Sequence, residues 1–336
     1  LKLRITNARG APTLGITLLL ASLSMISPLS IDTFLPSFPT IASEFGLSSW
    51  EVQQIITAYL LPFACFALVH GPLSDALGRR TIVLGGLGLY TLGSIGCFLA
   101  PTFGTLLACR VLQGLAAGIG PTVSRAVIRD MFEGVNAQKL MSSTTLVFSL
   151  APAIAPVVGG WVHVALGWRW VFGMLVVLGG LLLLACALML PETHPKSART
   201  AFHPVVLVRS AWRISTQPSF LLLAVSAALA IASLFIYVGS APAIIIDRWH
   251  LKETQFYYIF IPIVAGFMVA SLVSGQIAGR VSRVQQTRIG FGLLSLSGIV
   301  GVAVHMLLAQ PPMWVVQLLW FVMASGAQLT YPVLAL

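Results

Sequence analysis

Ten apolar runs, each near 20 residues and divided by short stretches of breakers and bases, fill this 336-residue sequence. A helix crosses the hydrocarbon core of a bilayer with roughly 20 residues. Backbone in lipid must also satisfy its own hydrogen bonds. The runs fall at about 13–39, 51–71, 81–100, 103–128, 139–163, 169–190, 219–241, 255–277, 288–309 and 313–335. Pro101 follows the third, Gly167-Trp168-Arg169 divides the fifth from the sixth, and Pro311-Pro312 precedes the tenth. The pattern predicts an all-α polytopic membrane protein. Only 8% of residues are charged, against roughly 25% in soluble domains, so the chain cannot cover a water-facing surface. That excludes a soluble enzyme, a disordered protein and a disulfide-stapled module. Cys65, Cys97, Cys109 and Cys186 lie inside apolar runs without metal-ligand spacing, so neither a metal site nor a disulfide framework is expected. The first run has no small-residue cleavage site and reads as a retained helix.

The net charge of +10 is distributed as membrane topology distributes it, in clusters between runs, and not along one face as nucleic-acid binding requires. With the N-terminus inside, 15 bases fall on one side: Lys2, Arg4, Arg9, Arg79, Arg80, Arg125, Arg129, Lys139, Lys196, Arg199, Arg209, Arg213, Arg280, Arg283 and Arg288. The other side has Arg169, Arg248 and Lys252, and Arg110 is left within a span. A cytoplasmic N-terminus is therefore expected. The longest polar stretch separates an N-terminal half, 1–190, from a C-terminal half, 219–336. Pro191, Pro195, Pro204 and Pro218 favour an irregular cytoplasmic linker over 191–218 in preference to an amphipathic surface helix.

The loop after the second run reads Gly71-Pro-Leu-Ser-Asp75-Ala-Leu-Gly78-Arg79-Arg80. A degraded copy follows the eighth run, from Gly275 through Gly279 and Arg280 to Ser282 and Arg283, at an offset of 204 residues. By that offset Leu336 answers to position 132, the end of the fourth run. Ten of twelve helices are then expected, with four in the second half, in a fragment or truncated product of a twelve-helix protein.

The loop at 71–80 resembles the cytoplasmic signature of the major facilitator superfamily. Arg110-Val-Leu-Gln113-Gly114, continuing to Arg125-Ala-Val-Ile-Arg129-Asp130, resembles the fourth-helix motif of its proton-driven drug exporters. Ala151-Pro152-Ala-Ile-Ala-Pro156-Val-Val-Gly159-Gly160 resembles their fifth-helix antiporter motif, with Ala155-Pro156 in place of Gly-Pro. Ser30-Ile-Asp32-Thr-Phe-Leu-Pro36-Ser-Phe-Pro39 is similar to the first helix of the Bcr/CflA multidrug exporters. The resemblance implies the major facilitator fold, alternating access, and export of drugs such as bicyclomycin-, chloramphenicol- or sulfonamide-like compounds in exchange for protons. It also implies a bacterial inner-membrane location and antibiotic resistance. No cofactor and no nucleic-acid partner is expected, and the working unit is expected to be a monomer. For Asp75 the resemblance implies contact with the N-terminus of the eleventh helix, closing a cytoplasmic gate. A proton-coupled metabolite symporter and an inactive fragment are the alternatives. A membrane enzyme would need paired carboxylates, a histidine cluster or a nucleophile with its base, and the sequence offers none.

Asp32 and Arg110 are the costly residues, because a charge at mid-span costs about 2.5–3.5 kcal/mol and is usually functional. Each lies seven residues inside the outer end of its span, about 10 Å deep at 1.5 Å per residue. Equal depth allows them to pair. Burial disfavours the ionised form of a carboxyl group and a nearby guanidinium favours it. Asp32 is thus the candidate to carry the proton or meet a cationic substrate, with Arg110 tuning it. A static ion pair, or an Asp32 solvated at the outer mouth, is the plain alternative. Gln113, three residues after Arg110, shares its helix face and either bonds the guanidinium or packs. Arg79 is expected to pair with Asp130, and Arg80 to be an anchor. Pro152 and Pro156 bend the fifth helix, whereas Gly159 and Gly160, like Gly114 and Gly118 on span four, admit a neighbouring backbone. His70, His163 and His305 read as structural. Trp168, Trp170, Trp249 and Trp314 mark span ends, and Phe235 and Tyr237 are candidate cavity residues of the second half. No GxxxxGK[ST] loop occurs, which argues against ATP-driven pumping.

Overall fold

The computed structural model describes residues 12–252, 255, 257–277, 281–308 and 310–334. Lys2, Arg4, Arg9, Gly279 and Arg280 lie outside the described residues, as do the side chains of Lys139, Phe235, Tyr237 and Arg283. Every described element is helical. Two compact units emerge, Leu1–Pro204 and Val205–Leu336.

The first unit holds α1 (Leu14–Asp32), α2 (Phe38–Phe45), α3 (Ser49–Leu77), α4 (Arg79–Phe98), α5 (Phe103–Ala117), α6 (Ile119–Met131), α7 (Gly134–Leu166) and α8 (Trp168–Met189). Its helices start where local chemistry directs. Ser48 with Glu51 and Thr102 with Thr105 form capping boxes for α3 and α5. Gly78, at φ +99°, is the whole joint between α3 and α4, in a backbone conformation that excludes a side chain at little cost only for glycine.

Two spans are each built from two helices, and proline explains both interruptions. Pro36 has no N–H to give the Asp32 carbonyl four residues back. The helix accordingly stops at Asp32 and resumes through a 3₁₀ turn, Leu35–Ser37. Pro121 likewise leaves the Ala117 carbonyl without its helical donor, and α5 ends there. The Ser27 hydroxyl of α1 donates to that carbonyl at 2.8 Å, the kind of side-chain repair a broken membrane helix requires. Within this unit α1 packs on α6 and α7, α3 on α5, and α4 on α5 and α8.

The second unit holds α9 (Pro204–Ser215), α10 (Pro218–Pro242), a π-helical turn (Ala243–Arg248), α11 (Tyr257–Ile277), α12 (Arg283–Leu307) and α13 (Met313–Leu334). α13 packs against α10, α11 and α12. α10 begins 204 residues after α1, and α12 begins 204 after α4. An apolar groove of about 660 Å³ lies among α10, α12 and α13, lined in part by Leu294, Ser295 and Val302. At the same offset these answer to Tyr90, Thr91 and Phe98 of α4, which in the first unit lie against Gly179 and Gly173 of α8.

α9 corrects the expectation of an irregular linker. Pro204 stands at its first turn, where a missing N–H costs nothing, and no breaker follows before the Pro218 that opens α10. Val205, Val206, Val208 and Trp212 of α9 are exposed. Among the described residues eight spans are long and apolar enough to cross a membrane, and α7 and α10 each contain a shorter apolar stretch. The molecule is a multi-pass membrane protein.

Candidate functional site

Arg110, on α5, is fully buried with its neighbour Gln113. Its Nη1 donates to Gln113 Oε1 at 2.9 Å and to the Ser30 carbonyl at 3.0 Å, and its Nε donates to the Ile55 carbonyl at 3.3 Å. The guanidinium carbon lies 4.4 Å from the Tyr59 ring centroid, 4.5 Å from that of Phe34 and 5.9 Å from that of Phe172. Ring faces and carbonyl dipoles thus carry the cation. Nη2 is buried without a hydrogen-bond partner among the described residues. Beyond Gln113, the polar cluster runs on to Ser94 Oγ, which accepts from Gln113 Nε2 at 2.7 Å, and Ser30 Oγ meets the Tyr90 hydroxyl at 2.5 Å.

The expected Asp32–Arg110 pair does not form. Asp32 is 5% exposed, and its carboxyl group makes no hydrogen bond or ion pair among the described residues. Azimuth is the reason. Arg110 donates to the Ser30 carbonyl of α1, and the Ser30 side chain faces the same cluster through the Tyr90 hydroxyl. Asp32, two residues after Ser30 and the last residue of α1, lies about 200° around a helix of 3.6 residues per turn from it. A count of depth along the span carries no information on this direction. What Asp32 does occupy is the break made by Pro36, and the next residue, Thr33, presents its carbonyl to Gly159 of α7.

At the opposite end of the unit the signature loop closes on itself. Arg79 donates from Nε to Asp130 Oδ2 at 3.0 Å and from Nη1 to Ser74 Oγ at 2.6 Å, and it pairs with Asp75 one turn before it. Arg80 donates to the Ala187 carbonyl at 2.5 Å, which ties α4 to α8. Glu192 and Thr193, not singled out in the sequence, complete the cluster together with Arg199. Glu192 Oε1 accepts the Arg79 backbone N–H at 2.9 Å, so a carboxylate caps the positive end of α4. Arg199 pairs with Glu192 at 3.3 Å, and Thr193 donates to Asp130 at 3.0 Å. Pro191-Glu192-Thr193 looked like linker composition, and only its return onto Gly78 and Arg79 gives it this place. Gly71 begins the loop; its carbonyl accepts from Ser74 Oγ at 2.8 Å, and a methyl group on it would meet open space.

Small residues set the helix spacing. A methyl group on Gly159 would overlap the Thr33 carbonyl, and one on Gly114 the Tyr59 carbonyl. Gly118 faces the His70 ring. Gly160 is buried with Pro156, and Pro152 is half-buried, all within α7. The histidines are tied down: His70 Nε2 meets the Leu115 carbonyl at 2.9 Å, His163 Nε2 meets Thr40 Oγ1 at 3.3 Å, and His305 Nδ1 meets the Gly301 carbonyl at 2.8 Å. Near the N-terminus of α8, Glu44 accepts from Trp168 Nε1 at 2.6 Å and pairs with Arg169 at 2.7 Å.

The sequence model of the Major Facilitator Superfamily matches residues 20–336. The chain belongs to the major facilitator superfamily. Among relatives, a protein of Bacillus subtilis (strain 168) named as an uncharacterized MFS-type transporter, YdgK, is 34% identical over 277 residues, covering 82% of this chain and 68% of its own. A bicyclomycin resistance protein homolog of Haemophilus influenzae is 30% identical over 285 residues, covering 84% of this chain and 71% of its own. In fold, the chain is similar to the crystal structure of the human organic anion transporter MFSD10, at a TM-score of 0.69 and 17% identity over 96% of this chain and 84% of that one. The family membership makes this a membrane transport protein, and its partners are small molecules and the lipid bilayer.

Proposed function

We propose that the protein exports drugs or small amphiphilic molecules from the cytoplasm in exchange for protons, and that Asp32 carries the exchange. The observation that supports this is Asp32, a buried residue whose carboxyl has no partner among the described residues, at a break in its helix. An ionised carboxylate buried alone costs several kcal/mol. A proton removes the charge, and a cationic substrate compensates it. The two occupants therefore compete for one group, which is what exchange requires. Arg110 holds a fixed positive charge in its own cluster with Gln113, out of contact with Asp32. The drug class is supported by the bicyclomycin resistance name of the Haemophilus influenzae relative and by the motifs in spans one, four and five. A charge falling inward through 100 mV supplies about 2.3 kcal/mol for the outward step.

In this reading the protein works as a monomer in a bacterial inner membrane with its N-terminus in the cytoplasm. The cluster of Asp75, Gly78, Arg79, Arg80 and Asp130, with Gly71 at its start, is the cytoplasmic gate, holding one state and releasing the other. The helix bearing Pro152, Pro156, Gly159 and Gly160 seals the interface against proton leak. The test is a drug panel in a pump-deficient host, followed by flux in proteoliposomes under an imposed pH gradient. Drug movement against the proton flow supports export. Movement of substrate with the protons identifies a symporter and overturns the proposal.

A further inference from the structure

Gln113 is the side chain that accepts from Arg110, and an amide can do so only with its oxygen toward the guanidinium. With the NH₂ group there instead, two donors would face each other in a buried site. The bonding around Ser94 decides which way the amide points. The Ser94 hydroxyl donates its one hydrogen to the Tyr90 carbonyl at 2.9 Å, so its oxygen is left to accept. Gln113 Nε2 fills that role at 2.7 Å. The amide nitrogen is thereby held on the Ser94 side and Oε1 on the Arg110 side. Cys97, whose thiol lies 3.6 Å from Oε1, adds a weak donor to the same oxygen. Ser94 lies on α4 and touches none of the ions itself.

We propose that Ser94 is a positioning residue for Arg110, acting through Gln113. By fixing the amide, it keeps an acceptor aimed at the guanidinium whether or not the guanidinium is in place. Its importance to exchange rests on the drug/proton reading above. Its effect on Arg110 does not, and the two are measured separately.

The first measurement uses the full chain in detergent micelles with nitrogen-isotope-labelled arginine, the Arg110 signal being assigned by Arg110→Lys. An anchored guanidinium shows slow rotation of its Nη groups. Ser94→Ala is expected to release that rotation, and Ser94→Thr, which keeps the hydroxyl, to retain it. Ser94→Cys serves if the alanine variant does not fold. In a Gln113→Glu background the two acceptor oxygens are equivalent, so there is no end to choose and Ser94→Ala should have no further effect. The second measurement is proton-driven exchange in proteoliposomes. Ser94→Ala is expected to slow turnover about tenfold with KM within about twofold, and to displace the pH of half-maximal exchange, with Ser94→Thr restoring both. An unchanged Arg110 signal in Ser94→Ala, or an equal loss in Ser94→Ala and Ser94→Thr, overturns the proposal. So does an effect of full size in the Gln113→Glu background. If the unsubstituted protein exchanges no protons, the transport reading fails while the arginine signal still decides the role of Ser94.

Discussion

Arg79 and Asp130 meet across 51 residues of chain, with Nε donating to Oδ2 at 3.0 Å. Arg79 is buried, and Asp130 retains 22% of its side-chain exposure. The contact fastens the start of α4 to the end of α6, and Thr193 reaches the same carboxylate oxygen from beyond α8. Three segments of the first unit are thus tied at one point.

Replacing Arg79 with alanine leaves Asp75, Asp130 and the Ser74 hydroxyl without their common donor. Partial solvation of both carboxylates limits the loss. The expected cost is about 1–3 kcal/mol, read as a lower melting temperature in detergent. Arg79→Lys should recover only part of it, because an ammonium cannot reproduce the fork that reaches several oxygens at once.

Glu192→Ala removes the acceptor for the Arg79 backbone N–H and the negative charge at the start of α4. A loss of about 1 kcal/mol is expected. Added salt should narrow the gap between the variant and the unsubstituted protein, since the dipole part of the effect is screened. Melting curves at low and high ionic strength check this.

Gly159→Ala sets a methyl group into the Thr33 carbonyl, whereas Gly85→Ala meets nothing. Forced overpacking typically costs 1–3 kcal/mol. The first variant should melt lower and give less folded protein; the second should match the parent. Size-exclusion profiles and thermal melts of the pair separate helix spacing from a general intolerance of α-helical glycines.

Ser27→Ala strands the Ala117 carbonyl that Pro121 already deprives of its helical donor. A cost of about 1 kcal/mol is expected, in the range measured for hydrogen bonds between membrane helices. Adding Pro121→Ala returns an N–H to the helix and should erase most of that cost. A double-mutant cycle in thermal stability measures the coupling.

Much of this was legible in the residues. The lengths of the apolar runs pointed to the spans, and the resemblance of the signature loop to that of the major facilitator superfamily implied the Arg79–Asp130 pair. The three-residue step from Arg110 to Gln113 set their common face on α5. Three features were not legible. The opposition of Asp32 and Arg110 depends on how α1 is rotated about its own axis, and a depth count contains no rotation. Glu192 depends on a polar stretch folding back, which leaves no periodic signal. Ser94 sits in an apolar run like any other small residue of a membrane helix, and only its two hydrogen bonds distinguish it.

Asp32→Asn in proteoliposomes decides whether the lone carboxyl does the coupling. The asparagine keeps the size of the side chain and cannot take up and release a proton in this range. Counterflow of an uncharged substrate, which does not need the carboxylate, should persist, while its uptake driven by a pH gradient should fall to the level of empty liposomes. Gradient-driven exchange at the parent rate in the asparagine variant would show that the proton travels by another group.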